Sequence, residues 1–349
     1  MKNFKINFAP LQGYTDYIFR QTHKECFGGI DEYYSPFLRL QHNNTLRNKD
    51  IRDVAPENNI AINCVPQIIG GNIEEIKTLF NYLSERDYKR VDINLGCPFS
   101  MIIHSGRGAK TLGDLEKIRA ILSLIENNPQ LSISLKMRLG LNTVEDSLKL
   151  LPYINKVNLH SIVLHARLAK AGYKGNVDME GFTSFYNNCN HNLYYNGDLL
   201  TIKDINDIRN RFPKLSGVMI GRGLLYDPAL ALKYREYEFY MEEEINSMEE
   251  ESYSRFEEEL KIKNINDYLT NCDNKSIYKE EYFRFHNLLL ERYSKTLEGG
   301  EHQILQKMKT LWEYFLPQAD KKTLKSIKKA RNIRIYLDVV NSLFKNLEL

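Results

Sequence analysis

The sequence contains no apolar run near the roughly 18 residues that a membrane-spanning helix needs, which excludes a helical membrane protein. Its first residues, Met1-Lys2-Asn3-Phe4, have neither the continuous apolar segment nor the small-residue cleavage site of a secretory leader, so a cytoplasmic location is expected. Cysteine is sparse: five residues with no even framework and no close pair, which fits a reducing compartment and excludes disulfide stapling or a zinc knuckle. There is no His-Glu-x-x-His, no close Cys/His cluster and no pair of carboxylates at catalytic spacing, so no metal is expected. Charge of one sign is also lacking, with 48 basic against 45 acidic side chains and a formal net charge of +3. That balance neither demands nor excludes a nucleic-acid partner; the distribution of the charges decides. The chain has 349 residues, of which 42% are hydrophobic and 27% charged. It is therefore globular, with room for one large α/β domain and an appendage.

The first two thirds alternate between short β-branched runs and longer stretches with helical periodicity. Strands are expected at Ile6–Ala9, Glu32–Ser35, Ile62–Ile68, Arg90–Asn94, Ser132–Arg138, Ser161–His165, Leu193–Tyr195 and Val218–Ile220. Between them, helices are expected at Ile73–Leu83 and Thr111–Leu124. Two more open at Thr143 with Asp146 and at Thr201 with Asp204 as capping pairs. Eight strands with intervening helices predict a (β/α)8 TIM barrel of roughly 235 residues, and an open doubly wound sheet is the competitor. The barrel is favoured because unusual polar residues stand at the ends of many strands: Gln67, Asn94, Lys136, Arg138, His165, Asn196, Asp198 and Arg222. A barrel gathers those ends on one face, whereas an open sheet scatters them. After about Tyr240 the composition changes: Met241–Leu260 is rich in glutamate, glycine and proline become rare, and helical periodicity dominates. The division expected is a catalytic domain over 1–238 and an all-helical domain over 239–349, ending in one helix across Lys321–Phe344.

The most informative segment is Val91-Asp92-Ile93-Asn94-Leu95-Gly96-Cys97-Pro98. Gly96 permits a tight turn and Pro98 fixes the backbone after the thiol, which places Cys97 at the catalytic end of a strand. There it is either a general acid or nucleophile, or an inert buried cysteine. Cys26, Cys64, Cys189 and Cys272 lack that setting. Ser105-Gly106-Arg107-Gly108-Ala109 matches neither the dinucleotide nor the P-loop pattern, and is either a close approach to a ligand or a plain turn, with His104 beside it. Lys136, and His165 and Arg167 on the next strand, are costly to bury unless they meet an anion or an electron-rich ring, or unless they pair with Asp92 or Asp198. Asn196-Gly197-Asp198 and Gly221-Arg222-Gly223 follow the last two strands, where barrels often bind phosphate through backbone N–H groups; Arg222 adds bidentate capacity.

Taken together, these segments resemble the flavin-dependent dihydrouridine synthases. The likeness begins at Ala9-Pro10-Leu11-Gln12-Gly13-Tyr14-Thr15-Asp16 with Phe19-Arg20. It continues through Gln67, Asp92–Pro98, Gly106–Ala109, Lys136-Met137-Arg138-Leu139-Gly140, His165-Ala166-Arg167 and Tyr173-Lys174-Gly175. It closes with Asn196-Gly197-Asp198 and Ile220-Gly221-Arg222-Gly223, in order over 215 residues. The resemblance implies an FMN-bearing barrel that reduces the C5–C6 bond of uridine in tRNA to 5,6-dihydrouridine, with NADPH or NADH as reductant. Reduced FMN would deliver hydride to C6 and Cys97 a proton to C5. Pro10, Leu11, Gln12, Gln67, Lys136 and His165 match positions around the flavin ring. Asn196, Gly197, Asp198, Gly221 and Arg222 fall in the segments that hold its phosphate. Asn94 matches a contact to flavin or substrate, and Arg138 is read as facing the substrate side.

Three features depart from the family's usual pattern. They are His165-Ala166-Arg167-Leu168 in place of His-Gly-Arg-Thr, Val177-Asp178-Met179 in place of Ala-Asp-Trp, and Lys110 where a small or apolar residue is usual. They alter the pocket's fine shape and leave the proton donor in place. The last helix carries Lys321, Lys322, Lys325, Lys328, Lys329, Arg331 and Arg334. Lys325, Lys328 and Lys329 are expected to face the RNA backbone, and the acidic Met241–Leu260 segment to face away from it. Other readings are ribosomal RNA as substrate, an FMN-dependent oxidoreductase of a free pyrimidine of the dihydroorotate dehydrogenase kind, and a catalytically silent RNA-binding protein. A monomer is expected, since no long heptad seam appears.

Overall fold

A computed structural model describes residues 4–247 and 278–346, with side chains of 242–247 left out of the description. Cys272 and most of the glutamate-rich stretch 241–260 lie outside the described residues. Contacts divide the chain into two compact units. The first gathers the chain up to Tyr17, Asp31–Asp198 and Ile208–Gly221; the second gathers Ile18–Ile30, Leu199–Asp207 and the chain from Arg222.

The first unit is built on nine strand segments, all paired in parallel. They are β1 (Lys5–Phe8), β2 (Glu32–Tyr34), β3 (Cys64–Val65), β4 (Gln67–Ile68), β5 (Arg90–Leu95), β6 (Ser132–Gly140), β7 (Ser161–Leu168), β8 (Leu193–Asn196) and β9 (Gly217–Ile220). Their order is β3-β2-β1-β9-β8-β7-β6-β5-β4. The two ends of that order are consecutive in the chain. Only Pro66, which has no N–H to donate, separates β3, paired with β2, from β4, paired with β5. The Pro66 carbonyl still accepts the Asp92 N–H at 2.9 Å. The nine segments are thus eight strand positions in a closed ring, the barrel and not the open sheet.

Each expected strand is present, with its ends moved by a few residues. β6 runs two residues past Arg138, through a register shift between Arg138 and Gly140, and β7 continues past His165 to Leu168. The helix Ile73–Ser84 is capped by Asn72, which accepts the Glu75 N–H. The helix expected from Thr111 begins at Leu115, because the Asp114 carboxylate caps it and Gly108–Gly113 forms a 3-10 turn instead. Thr143 is not a side-chain cap: the Asp146 carboxylate instead gathers the N–H groups of Leu141, Asn142 and Thr143. The helix there breaks into Glu145–Leu148 and Leu151–Ile154, with Pro152 in the first turn of the second.

Register carries alternate residues to the barrel interior. Asn94 pairs with Lys136, Lys136 with Val163, and Val163 with Tyr194. Arg138 pairs with His165, His165 with Asn196, and Asn196 with Met219. Val65, Tyr34, Ala9, Val163, Tyr194 and Met219 pack on one another as an apolar layer. The intervening residues, such as Ile133, Leu135, Ile162 and Leu164, are buried as well, so these central strands are apolar on their outer side.

In the second unit, Thr201 and Asp204 form the expected capping box: the Thr201 hydroxyl accepts the Asp204 N–H and the Asp204 carboxylate accepts the Thr201 N–H. Phe285, Leu289, Ile304, Met308, Trp312 and Phe315 are buried at helical spacing. The Tyr336 hydroxyl accepts the Trp312 indole N–H at 2.8 Å and meets His286 Nε2 at 2.7 Å, which satisfies three buried polar groups together. The single last helix expected over Lys321–Phe344 is two helices, Lys321–Lys329 and Ile333–Asn346. Ala330 is extended, and the Asn332 side chain accepts the Ile335 N–H, an N-cap that competes with continuing the helix.

Candidate active site

The barrel mouth collects the polar residues of the strand ends. Cys97 follows β5 in a turn that Asn94 closes: Asn94 Oδ1 accepts the N–H groups of Gly96 at 3.0 Å and of Cys97 at 2.9 Å. The Cys97 carbonyl accepts the Ala109 N–H, which ties the glycine loop to the turn. A Cβ on Gly108 (φ +59°) would stand 2.8 Å from the Cys97 carbonyl oxygen, so this loop approaches the cysteine too closely for any other residue. Cys97 is 8% exposed and packs with Phe37, Ile69 and Ile102. Burial pushes its thiol above the ordinary range, against the Phe99 backbone and the Arg138 and Lys136 cations, which pull it down. A thiol so placed keeps its proton at neutral pH.

Behind the turn lies a buried polar chain. Asp92 Oδ1 accepts the Ser134 hydroxyl at 2.6 Å, and Asp92 Oδ2 accepts Gln67 Nε2 at 2.7 Å. Gln67 Oε1 accepts Asn94 Nδ2 at 2.8 Å. Burial raises the Asp92 carboxyl to about 7, opposed by the bonds from Ser134 and Gln67.

Lys136 Nζ donates to Asn196 Oδ1 at 2.9 Å, while Asn196 Nδ2 donates to the Met219 carbonyl. No carboxylate forms an ion pair with Lys136 among the described residues. Burial, then the neighbouring Arg138, lowers its ammonium to about 8. His165, in the register row of Arg138 and Asn196, is buried with its ring 6.2 Å from that of Tyr173. Asp198 is engaged by Arg167: Arg167 Nη1 donates to its Oδ1 at 3.1 Å, and Nη2 bonds its Oδ2 and the Gly175 carbonyl. Of the rim cations for which an ion pair with Asp92 or Asp198 is one reading, Arg167 makes that pair, with Asp198.

Arg138 is 1% exposed. Its Nε donates to the Gly96 carbonyl at 3.0 Å, and its Nη1 to the carbonyls of Leu168 and Gly172. It therefore braces the Cys97 turn against the loop after β7. Pro10, Leu11 and Gln12 form a half-buried turn in which Leu11 N–H bonds the Thr15 hydroxyl and Gln12 Nε2 bonds the Phe37 carbonyl. β8 and β9 are neighbours, so Gly197 and Gly221 follow adjacent strand ends; Arg222 opens the short helix Arg222–Tyr226. Lys325, Lys328 and Lys329 are exposed on the helix Lys321–Lys329 of the second unit, which buries Ile327.

The structure thus brings Gln67, Asn94, Cys97, Lys136, Arg138, His165 and Asn196 to one barrel mouth. Sequence reasoning passed over the role of Asp92 and Ser134 behind them. The signal available was alternation: Arg90, Asp92 and Asn94 all take the inward positions of β5. Among the described residues Lys136 is in no ion pair, and it stands beside side-chain amides and glycine backbone. Such a set suits an electron-rich ring carrying an anionic group.

The family model for dihydrouridine synthase matches residues 7–310. The chain belongs to the dihydrouridine synthase family. It is 26% identical to a tRNA-dihydrouridine(16) synthase of Neisseria meningitidis serogroup B over 241 residues, which cover 67% of this chain and 72% of the relative. It is also 26% identical to a tRNA-dihydrouridine(16) synthase of Cupriavidus necator over 239 residues, 66% of this chain and 73% of the relative. A tRNA-dihydrouridine(20) synthase [NAD(P)+] of Schizosaccharomyces pombe is 30% identical over 147 residues, 40% of this chain and 30% of that one.

Proposed function

We propose that this protein reduces the C5–C6 bond of specific uridines in tRNA, with Cys97 as the proton donor to C5. The observation that carries the reading is the Cys97 turn: a buried thiol, kept protonated, held by Asn94 at the mouth of a barrel whose chain belongs to this family. The donor set fits FMN: Gln67, Lys136 and His165 would hold its ring, and Asn196, Gly197, Gly221 and Arg222 would hold its phosphate. Bound FMN supplies hydride donation, with NADPH or NADH as the source of electrons. Uracil C6 is electrophilic because C5=C6 is conjugated to the C4 carbonyl, so charge that develops at C5 is quenched by the Cys97 proton. Asn94 spends only one Nδ2 hydrogen on Gln67, which leaves its second for a carbonyl of the bound ligand. Lys136 would set a positive charge beside the bound ring, and Arg138 would shape the substrate side through the two loops it holds.

The target base has to leave its stack, which costs a few kcal/mol. RNA affinity is placed on the exposed lysines 325, 328 and 329, whose helix is anchored by Ile327. We infer a cytoplasmic enzyme, in keeping with the four free cysteines of the described residues. No described helix is long and apolar enough to cross a membrane.

The test is mass spectrometry of nucleosides from tRNA and ribosomal RNA in a strain without this gene and in its parent. Loss of dihydrouridine at a mapped tRNA site, restored by the wild-type gene and not by Cys97→Ala, is the expected result. Loss confined to ribosomal RNA would move the substrate, and no loss at any site would overturn the reading.

A further inference from the structure

We propose that Asp92 is a positioning residue. Its carboxylate fixes the direction of a two-amide hydrogen-bond chain, Gln67 then Asn94, that holds the backbone turn carrying Cys97. The kinetic part of its test rests on the function proposed above; the thiol-reactivity part does not.

A side-chain amide has a donor end and an acceptor end, so two amides in series can run in either direction. A carboxyl oxygen that faces an amide as an acceptor removes that freedom; even when Asp92 carries a proton, a proton on Oδ1 points to the Ser134 hydroxyl and leaves Oδ2 an acceptor toward Gln67. Asp92 Oδ2 takes Gln67 Nε2 at 2.7 Å, which obliges Gln67 to turn Oε1 toward Asn94. That oxygen takes Asn94 Nδ2 at 2.8 Å, which obliges Asn94 to turn Oδ1 toward the turn. There it accepts two backbone donors, Gly96 N–H and Cys97 N–H. Reversing the chain would set Asn94 Nδ2 against those two N–H groups and leave donors facing donors in a site where Asp92 and Gln67 are wholly buried.

The geometry follows from register. Gln67 lies directly opposite Asp92 across β4 and β5, and Asp92 and Asn94 are two residues apart on one face of β5. The second Asp92 oxygen is satisfied separately by the Ser134 hydroxyl at 2.6 Å, so the contact to Gln67 can be altered without stripping the carboxylate of its other partner. A buried carboxylate is a costly way to fill a barrel interior. Setting the polarity of the chain behind Cys97 is something that an apolar residue of similar size could not do.

The experiment uses the full-length protein and three variants, Asp92→Asn, Gln67→Met and Ser134→Ala. It reads the rate of Cys97 alkylation by iodoacetamide, mapped on its peptide, and kcat and KM for uridine reduction. Asp92→Asn offers either a donor or an acceptor to Gln67, so the chain loses its fixed direction and the turn loosens. Alkylation is expected to rise by about threefold or more, and kcat to fall about tenfold with KM for tRNA within about twofold. Gln67→Met should do the same, and the double variant should be no worse than the worse single one, since both act through one chain. Ser134→Ala should leave alkylation at the wild-type rate. Wild-type alkylation and kcat in Asp92→Asn, or additive effects in the double variant, would overturn the proposal. Should Asp92→Asn not fold, the alkylation rate of Gln67→Met against Ser134→Ala decides the matter, since kcat in Gln67→Met also reports on the proposed cofactor site. A wild-type protein that forms no dihydrouridine would defeat the proposed reaction, and the alkylation comparison would still judge Asp92.

Discussion

Lys136 Nζ and Asn196 Oδ1 stand 2.9 Å apart across the barrel mouth, from strands that are not neighbours: Lys136 on β6, Asn196 on β8, with Val163 and His165 of β7 between their register rows. A neutral amide oxygen is a weak partner for a half-buried ammonium. The lysine is oriented by this bond and its charge is left for something else.

Lys136→Met tests that reading by its effect on stability as well as on rate. Burial lowers the folded-state ammonium from 10.5 to about 8. Between those values the unfolded chain binds the proton more strongly, so wild-type stability rises with pH across that window, and at pH 7 the whole penalty is present. The variant is expected to melt a few degrees above wild type at pH 7, with the gap closing toward pH 10.5. Its rate of uridine reduction should fall about a hundredfold. Melting curves at the two pH values, beside turnover, check both signs.

Cys97→Ala should lower turnover by about two to four orders of magnitude while leaving tRNA binding intact. Because burial raises the thiol above 9.0, alkylation of Cys97 in the wild type should be slow at pH 7 and still be rising beyond pH 9. A rate that levels off near neutral pH would show a thiolate, which is the wrong form for a proton donor.

Gly108→Ala places a Cβ 2.8 Å from the Cys97 carbonyl oxygen and 3.0 Å from its Cβ, at a φ of +59°. Left-handed strain and the clash together are expected to cost about 1–3 kcal/mol, and to shift the cysteine turn. Denaturant melts measure the first effect, and the alkylation rate of Cys97 measures the second.

Replacing Lys325, Lys328 and Lys329 by glutamine should weaken tRNA binding and flatten its salt dependence. If each lysine meets one phosphate, the slope of log affinity against log salt falls by about two to three. Ile327 stays in place, so the helix should fold as before. Filter binding at several salt concentrations reads the slope, and an unchanged slope would remove these lysines from the RNA surface.

Much of this was legible in the chain. The eight strand positions could be read from β-branched runs, since a strand buried on both faces is largely a run of Val, Ile and Leu, as in Ile162–Leu164. Local chemistry was equally readable at Thr201 and Asp204, where both halves of a capping box lie three residues apart. The sequence misled where a local choice depended on a competitor further along: Asp114 took the helix start expected at Thr111, Pro152 split the helix after Thr143, and Asn332 split the last one.

By itself the sequence determined the barrel's elements, their order, and the polar residue that ends each strand, because these follow from periodicity and turn chemistry within a few residues. It also carried the family likeness, which is an ordered set of such strand ends. Tertiary structure alone decided which polar groups meet. Arg167 and not Lys136 takes Asp198, Arg138 is committed to three backbone carbonyls, and Asp92 reaches the cysteine turn through Gln67, 25 residues away in the chain. Those pairings depend on closure of the ring at Pro66 and on strand register, and register is set by the packing of the whole barrel, not by any one segment of it.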